Sequence, residues 1–287
     1  MTPSCPRCNS TSDCPKAVSF GRFYRKSDSR WVGRFRCRKC LMTFSFATSH
    51  PCFGQNKRQM NEPLKRLLVS KVSLNRAAWI LNLNRKTVVR KLLFLSAQAE
   101  LRLQKQLSTH LPSKVIEFDD METFEHSKCK PVSITLAVES GTRKILGLEV
   151  ARMPAKGPLA ARSRRKYGPR PDERPRARRR LFQRILPLVA QSAEIKSDEN
   201  PHYPCDVGKF FPGRTHKTFK GRRGCVVGQG ELKRIGFDPL FSLNHTCAMF
   251  RDNVSRLIRR TWCTTKRIDR LRAHLILYAE FHNDTLI

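Results

Sequence analysis

The sequence predicts an α/β fold, and three observations lead to this class. Two Cys-x-x-Cys pairs near the start of the chain predict a small metal-binding ribbon. A stretch with helical hydrophobic spacing follows, and from Ser113 onward segments with strand-like alternation are interspersed with helical ones. We therefore expect a ribbon over residues 1–55, a helical domain over 58–110 and an α/β domain over 113–287, the last with a basic insert at 152–180.

The charge of the chain points to a polyanionic partner. Its 287 residues include 57 Lys and Arg against 23 Asp and Glu, which gives a formal net charge of +34. Solubility requires far less charge, whereas the regularly spaced phosphates of nucleic acid reward dispersed Lys and Arg through counterion release. Because 39% of the residues are hydrophobic, the chain can bury a core. The composition argues against an enzyme of small metabolites and favours a nucleic-acid-binding protein.

The chain shows no sign of a membrane or secretory destination. No stretch approaches the roughly 18 to 20 apolar residues of a membrane span, and the first residues lack the charged start and apolar run of a secretory signal. We therefore expect a cytoplasmic protein. In a reducing compartment its eleven cysteines are not a disulfide framework, so metal binding is the first interpretation of the closely spaced pairs.

The two cysteine pairs have the spacing of a structural zinc site. Two thiolates three positions apart on a tight turn can both reach one ion about 2.3 Å away, and two such turns complete a tetrahedron. Cys14, His50 or Cys52 could replace one ligand, and a set of free thiols is the alternative interpretation. The predicted zinc ligands are Cys5, Cys8, Cys37 and Cys40.

The next segment predicts a helix-turn-helix unit. Residues 61–72 form one helical stripe, and residues 74–81, a turn at 82–84 and a helix over 85–95 follow it. In DNA-binding proteins the second helix of such a pair lies in the major groove. An ordinary helical pair with a solvated basic face is the alternative. The polar side chains expected to contact DNA are Arg85, Lys86, Thr87, Arg90 and Lys91.

Carboxylates end two predicted strands of the α/β domain. Strands at 115–120, 132–139 and 144–151 form a meander, a helix is expected over 181–193, and a short strand at 194–199 follows it. Asp119 ends the first of these strands and Asp198 the last. On adjacent strands, two such carboxylates could hold divalent cations that position a phosphate for in-line attack.

The insert at 152–180 is rich in both arginine and proline. Because prolines oppose regular structure, we expect a loop up to about residue 180 that follows DNA phosphates. A solvated linker is the alternative. Residues 266–281 have helical hydrophobic spacing and predict a core helix, which is expected to pack behind a basic helix formed by the residues before it.

Two short blocks are the most specific motifs of the chain. One is Phe118-Asp119-Asp120-Met121, and the other is Arg256-Leu-x-Arg-Arg-Thr-Trp-Cys-Thr-Thr-Lys266. Together with the order of ribbon, helix pair and sheet, they make the chain resemble the small bacterial insertion-sequence transposases of the DDE type. The resemblance implies a ribonuclease H-like catalytic core that holds one or two Mg²⁺ ions. It also implies a DNA transposase that binds element ends and catalyses metal-dependent DNA cleavage and strand transfer.

The resemblance also assigns residues. The first acid of the family falls on Asp119, with Asp120 beside it, and the second falls on Asp198. The third is a glutamate that opens the last helix two turns before the arginine matching Arg251, and here that position holds an asparagine. Three residues are candidates for this third ligand, in the order His245, Asn244 and Asp252. Arg256, Arg259 and Arg260 are expected to contact DNA.

The expected partners are double-stranded DNA, as element ends and target, and further copies of the chain in a homo-oligomer on DNA. A bacterial, nucleoid-associated location in the cytoplasm follows from the resemblance. Two other functions stay open at this point. One is a non-catalytic or decayed transposase-derived DNA-binding regulator, because the third ligand is atypical. The other is an RNA-binding protein.

Overall fold

The computed structural model describes residues 4–8, 17–26, 29–220, 238–258 and 264–286. The chain divides into two compact units, Met1–Pro63 and Leu64–Ile287. Within the described ranges, no helix combines the length and the apolar character that crossing a membrane requires.

The smaller unit contains a three-stranded antiparallel sheet in the order β1-β2-β3. The pairing of β1 with β2 shifts register between Ser19 and Arg22, and Gly21 has a φ of +80° there, a conformation that costs a residue without Cβ little. Its buried core consists of Cys5, Ala17, Cys37 and Phe44. So small a core favours a metal as a further source of stability. The strands are β1 (Val18–Arg25), β2 (Arg30–Arg36) and β3 (Thr43–Phe44).

Three helices follow in the positions that the hydrophobic spacing predicts. Ser73 caps the second helix by accepting a hydrogen bond from the Arg76 amide, and Asn84 caps the third by accepting one from the Lys86 amide at 2.8 Å. The third helix continues well past the predicted residue 95, and its distal half packs on the C-terminal helix. The helices are α1 (Asn61–Val69), α2 (Leu74–Ile80) and α3 (Arg85–Ser108).

The larger unit is built on a five-stranded mixed sheet in the order β6-β5-β4-β7-β8. The first three strands in sequence form the expected antiparallel meander, while β7 runs parallel to β4 and β8 runs parallel to β7. The α/β class is confirmed, and the arrangement is consistent with a ribonuclease H-like core. The strands are β4 (Ser113–Phe124), β5 (Pro131–Glu139), β6 (Ile145–Arg152), β7 (Val189–Asp198) and β8 (Thr215–Phe219).

Helices cover both faces of this sheet. Successive residues of a strand point to opposite faces, and β4 shows this directly. Phe118 packs against Phe182 and Tyr203 on one face, whereas the preceding Glu117 accepts a hydrogen bond from the Leu243 amide on the other. The helices that follow β6 are α4 (Leu159–Tyr167), α5 (Arg174–Ile185), α6 (Tyr203–Phe210), α7 (Phe241–Asn253) and α8 (Ile268–Thr285).

The prediction of a loop at 152–180 is wrong, because α4 and most of α5 lie within this range. Pro175 does not prevent α5, since it occupies the first turn, where a helix needs no amide donor from that residue. Further along, α5 buries a stripe that packs against the sheet, and this burial stabilises a helix despite its six arginines. The stripe consists of Ala177, Leu181, Phe182 and Ile185.

The prediction of a helix over 181–193 is also wrong for the second half of that range. The α-helix ends at Ile185, a single 3₁₀ turn spans Leu186–Leu188, and β7 begins at Val189. Pro187 explains the end of the helix, because a proline inside a helix removes a hydrogen bond and clashes with the preceding turn. Leu188 and Val189 therefore fit the helical spacing by coincidence.

Candidate functional site

Asp119 and Asp198 lie on neighbouring parallel strands. Glu117 of β4 and Lys196 of β7 form the last pair between these strands, and Asp119 and Asp198 each follow two residues later, Asp198 as the last residue of β7. Burial and the nearby charge of Asp198 raise the pKa of Asp119 to about 6. Burial also raises the pKa of Asp198, with a contribution from the charge of Asp120. Charges of neighbouring carboxylates thus contribute to raising the pKa of both acids, which favours a cation near them.

Hydrogen bonds hold one oxygen of each carboxylate. Oδ1 of Asp119 accepts from the Tyr203 hydroxyl at 3.1 Å and from the Asp120 amide at 2.6 Å, and Oδ1 of Asp198 accepts from the Asn200 amide at 3.0 Å. Burial and the three nearby aspartates raise the pKa of Tyr203, so its hydroxyl stays a donor. Among the described residues, Oδ2 of neither aspartate has a hydrogen-bond partner, and these two atoms are the ones that an ion could use.

A buried arginine fixes the acids beside this pair. Arg178 of α5 is only 3% exposed, and it donates to Asp206 at 2.6 Å and to Asp120 at 3.3 Å. The guanidinium also lies 5.4 Å from the centre of the Tyr203 ring. The Thr135 hydroxyl donates to the other oxygen of Asp120. Asp120 is thus engaged through both oxygens on the opposite face of β4 from Asp119, as a structural partner of Arg178.

The sequence patterns predict neither Tyr203 and Asp206 as residues of the site nor the buried position of Arg178. Tyr203 and Asp206 lie on α6, a helix that the hydrophobic spacing does not reveal, because it is only eight residues long. One signal was present, a proline in the first turn of α6 shortly after Asp198. Arg178 lies in the basic insert that the sequence predicts to be a loop, and no local feature of the sequence distinguishes it from the arginines that follow it.

Helix α7 covers the face of the sheet that carries Asp119. Glu117 is 2% exposed and accepts hydrogen bonds from the Leu243 amide at 2.8 Å and the Ser140 hydroxyl at 2.6 Å. This carboxylate therefore caps the first turn of α7 and fixes the helix on β4. One turn further, burial raises the pKa of the Cys247 thiol to about 12, and the charge of Asp119 contributes to the rise. Cys247 is thus a buried residue of α7 that lies close enough to Asp119 for its thiol to be affected by that charge.

The three candidates for a third ligand do not join the two aspartates. The His245 ring lies 3.3 Å from the Arg143 guanidinium, the Asn244 amide donates to Asp238 at 2.9 Å, and Asp252 pairs with Lys71 at 2.6 Å. At about 100° per residue, His245 and Asp252 lie roughly 160° and 140° around α7 from Cys247, and Asn244 lies roughly 60° from it.

The first-ranked candidate, His245, and the third, Asp252, thus lie on different sides of α7 from Cys247. Asn244 and Asp252 are exposed, and His245 is half-buried. Within the described residues, no group of three or more potential ligands contains Asp119 or Asp198. Which group completes an ion site there stays a prediction.

An open cleft adjoins Asp198. It has a volume of about 470 Å³ and is lined by Asp198, Glu199 and residues 200–202, together with Lys156 and Arg174. The cleft thus combines carboxylates that could hold a divalent cation with cations that could bind phosphate.

The four cysteines of the smaller unit meet in space. The Sγ atoms of Cys5 and Cys40 are 3.6 Å apart, those of Cys8 and Cys37 are 4.0 Å apart, and all four lie within 4.8 Å of one another. Tetrahedral zinc with bonds of about 2.3 Å separates its sulfurs by about 3.8 Å, so this thiol set could bind zinc. The amides of Cys40 and Lys39 lower the pKa of Cys37 to about 6, which favours the thiolate that zinc requires.

The alternative zinc ligands do not enter this group. The Cys52 amide donates to Nδ1 of His50, and the Cys52 thiol accepts from the Asn61 side chain at 3.5 Å. Cys14 lies outside the described residues.

The predicted DNA-contacting residues differ in how far they are exposed. Arg85, Lys86 and Arg90 are exposed on α3, and Thr87 is half-buried. The prediction that Lys91 lies on the surface is wrong, because this residue is only 5% exposed. It follows Val88 by three positions and precedes Leu95 by four, so it falls on the helix stripe that packs inward. Arg256 is half-buried in a 3₁₀ turn, Ser255–Leu257, because α7 ends before the expected basic helix. Arg259 and Arg260 lie outside the described residues.

Comparisons with known proteins assign no family. No protein-family model matches the chain, and no curated protein matches it in sequence. Among the solved structures that match is the catalytic domain of the Mos1 mariner transposase, with 11% sequence identity and a TM-score of 0.26. The match covers 67% of this chain and 94% of that domain. At this level of similarity it carries no argument about function.

Proposed function

We propose that the chain is a DNA transposase, which binds the ends of its element and catalyses metal-dependent DNA cleavage and strand transfer. The observation that carries the proposal is the pair Asp119 and Asp198, side by side on parallel strands, each with one oxygen left for an ion. The cleft beside Asp198, which contains Lys156 and Arg174, and the net charge of +34 support DNA as the substrate.

The residues of the site have distinct roles in this proposal. Asp119 and Asp198 would hold Mg²⁺, a hard cation that prefers carboxylate oxygens. When bound, the ion supplies charge stabilisation and activates the attacking oxygen. Tyr203 orients Asp119 through its hydrogen bond, and Lys156 and Arg174 would bind the DNA phosphates that enter the cleft.

The exposed surfaces of the smaller unit and of α3 support DNA binding further. On β1 and β2, Trp31 is 67% exposed, and Arg34 and Arg36 lie over the Phe20 ring at 5.4 and 5.2 Å. Exposed aromatic rings beside arginines are typical of nucleic-acid-binding surfaces. We propose that this hairpin and the exposed cations Arg85, Lys86 and Arg90 recognise the element ends.

A non-catalytic DNA-binding regulator is the second candidate function. Cys247 of α7 is buried near Asp119, and a neutral thiol is a poor ligand for Mg²⁺. A site with two carboxylates compensates less of the charge of an ion than a site with three. This observation favours a protein that keeps the fold and binds DNA without cutting it.

A nicking assay separates the two candidates. The substrate is a linear duplex containing the sequences that flank the gene, incubated with the chain in Mg²⁺ and in Mn²⁺. We expect metal-dependent nicking that falls about 100-fold or more in Asp119→Asn and in Asp198→Asn, while duplex binding is retained. Asp269→Asn removes an exposed carboxylate of α8 that pairs with Arg267, and it is expected to nick like the wild type.

Tight duplex binding without nicking in either metal would favour the regulator. A preference for single-stranded RNA over the duplex, measured in a competition at matched salt, would contradict both candidates.

A further inference from the structure

A cavity lined by cations lies within the larger unit, away from the aspartates. Its volume is about 230 Å³. Arg85 contributes from the start of α3, Arg270 from the first turn of α8, and Arg256 and Lys266 from the chain between α7 and α8. No aspartate or glutamate is among the described residues that line it. Side chains that are far apart in the sequence thus bring several positive charges to one place.

This accumulation of cations contrasts with the rest of the unit. On the other half of α8, Glu280 pairs with Lys65 at 2.7 Å and with Arg102 at 2.5 Å. The acid nearest in sequence to Arg270 is Asp269, and Arg267 holds its carboxylate at 2.9 Å. Because like charges repel, a cavity with several cations and no carboxylate favours an anion from outside the chain.

The other lining groups fit an oxyanion. They include three hydroxyl side chains and an amide, all of which can donate hydrogen bonds, as well as two apolar residues. The Lys266 ammonium, which lies 3.5 Å from the His126 ring, and the guanidinium groups that line the cavity can donate hydrogen bonds to an oxyanion.

We propose that this cavity binds a phosphate group of the DNA backbone. The inference rests on the proposed DNA binding but not on cleavage. Arg85 begins the helix proposed to contact bases, whereas Arg270 belongs to a helix that packs on the sheet carrying Asp119. One phosphate bound by both Arg85 and Arg270 would fix the position of the DNA-contacting helix α3 relative to the sheet. The volume of about 230 Å³ is many times the roughly 10 to 15 Å³ of such space that one water needs, so it accommodates a hydrated phosphate.

The first test measures thermal unfolding of the full chain in sodium phosphate and in sodium chloride of equal ionic strength. At ten times the Kd, phosphate is expected to raise the Tm of the wild type by about 3 °C or more. Arg270→Gln is expected to lose this rise, and Arg270→Lys, which keeps the charge, to retain part of it. Lys105→Gln removes an exposed cation at the far end of α3 and serves as the matched control, with an unchanged rise.

The second test measures duplex affinity against salt concentration for the same variants. Arg270→Gln is expected to reduce the slope of log K against log salt by about 1 for any DNA sequence. Lys105→Gln is expected to leave the slope unchanged.

The outcomes separate the possible ligands. If phosphate stabilises the wild type but Arg270→Gln binds duplex with an unchanged slope, the cavity holds a small phosphate compound and the proposal is overturned. If phosphate stabilises all variants equally, the cavity is no anion site. Neither readout requires cleavage, so a chain that never nicks DNA can still support the inference.

Discussion

The four-cysteine site and the two-aspartate site reach their geometries by different routes. Each cysteine pair lies on one tight turn, and around Cys37 the turn is closed by hydrogen bonds from the Cys37 amide to Met42 and from the Leu41 amide to Cys37. Asp119 and Asp198 instead lie on β4 and β7, which are parallel neighbours in the sheet. In the chain, two strands and two helices separate β4 from β7.

The difference teaches which parts of a site a sequence can specify locally. Spacing within a turn fixes the distance between two thiols almost by itself, so the sulfur group has the dimensions of a complete zinc site. The carboxylate pair depends on strand order, and a third member depends on how α7 is rotated about its axis. A rotation of one residue would change which side chain of α7 lies nearest Asp119, and Cys247 is a buried residue of α7 whose pKa the charge of Asp119 helps to raise.

The largest effect is expected from breaking the cysteine group. Cys37→Ser should remove zinc and unfold residues 4–58, because zinc contributes about 10 to 16 kcal/mol to the folding of small zinc domains. The larger unit has its own core and should stay folded. Metal analysis and limited proteolysis measure the two results. Cys52→Ser removes a thiol outside the group and is the control. An N-terminal unit equally resistant to protease in all three proteins would contradict a structural metal.

An intermediate effect is expected from Arg178→Met. Removing this cation leaves Asp120 and Asp206 buried or half-buried without their partner, which costs about 3 to 5 kcal/mol for a buried ion pair. Urea unfolding of the purified chain measures the loss. Arg267→Gln breaks an exposed pair and should cost about 1 kcal/mol or less. Equal losses in the two variants would show that the aspartate cluster does not depend on Arg178.

The smallest effect is expected from Cys247→Asp, which places a third carboxylate opposite Asp119. Without metal the variant should be less stable than the wild type, because it buries a further charge beside two aspartates. At ten times the Kd for Mg²⁺, we expect a rise in Tm of about 3 °C or more, larger than that of Cys247→Ser. Thermal unfolding with Mg²⁺ and with EDTA measures it. The same rise in both variants would mean that position 247 does not reach the ion site.

Sequence patterns predicted the parts of this fold that depend on local spacing. The meander, the three helices at 61–95 and the C-terminal helix are confirmed, since each has a clear hydrophobic period. The interpretation of 152–193 was wrong because Pro175 and Pro187 act oppositely, the first starting α5 and the second ending it. A proline's effect depends on its position in a helix, which the sequence alone does not reveal.

The candidate site could be predicted only in part for the same reason. Asp198 ends β7 as predicted, but the prediction that Asp119 ends its strand is wrong, because β4 continues to Phe124. The two acids lie on neighbouring parallel strands, and their joint role stays a prediction.

Lys91 and Arg178 carry charges that look solvent-exposed in a basic segment, yet both are buried. The helical spacing from Val88 and Leu95 does place Lys91 on the inner stripe of α3. The partners of Arg178 lie on β4 and α6, so the residues around it in the sequence do not signal its burial.

The packing of α3 has a consequence for engineering. This helix has 24 residues, and its distal half is joined to α8 by the ion pair of Glu100 with Arg272 at 2.6 Å and by that of Arg102 with Glu280. A chimera cut after residue 110 would expose the interior faces of both helices. The natural place to join a foreign targeting module is therefore just before α1, which begins at Asn61, close to the boundary between the two compact units.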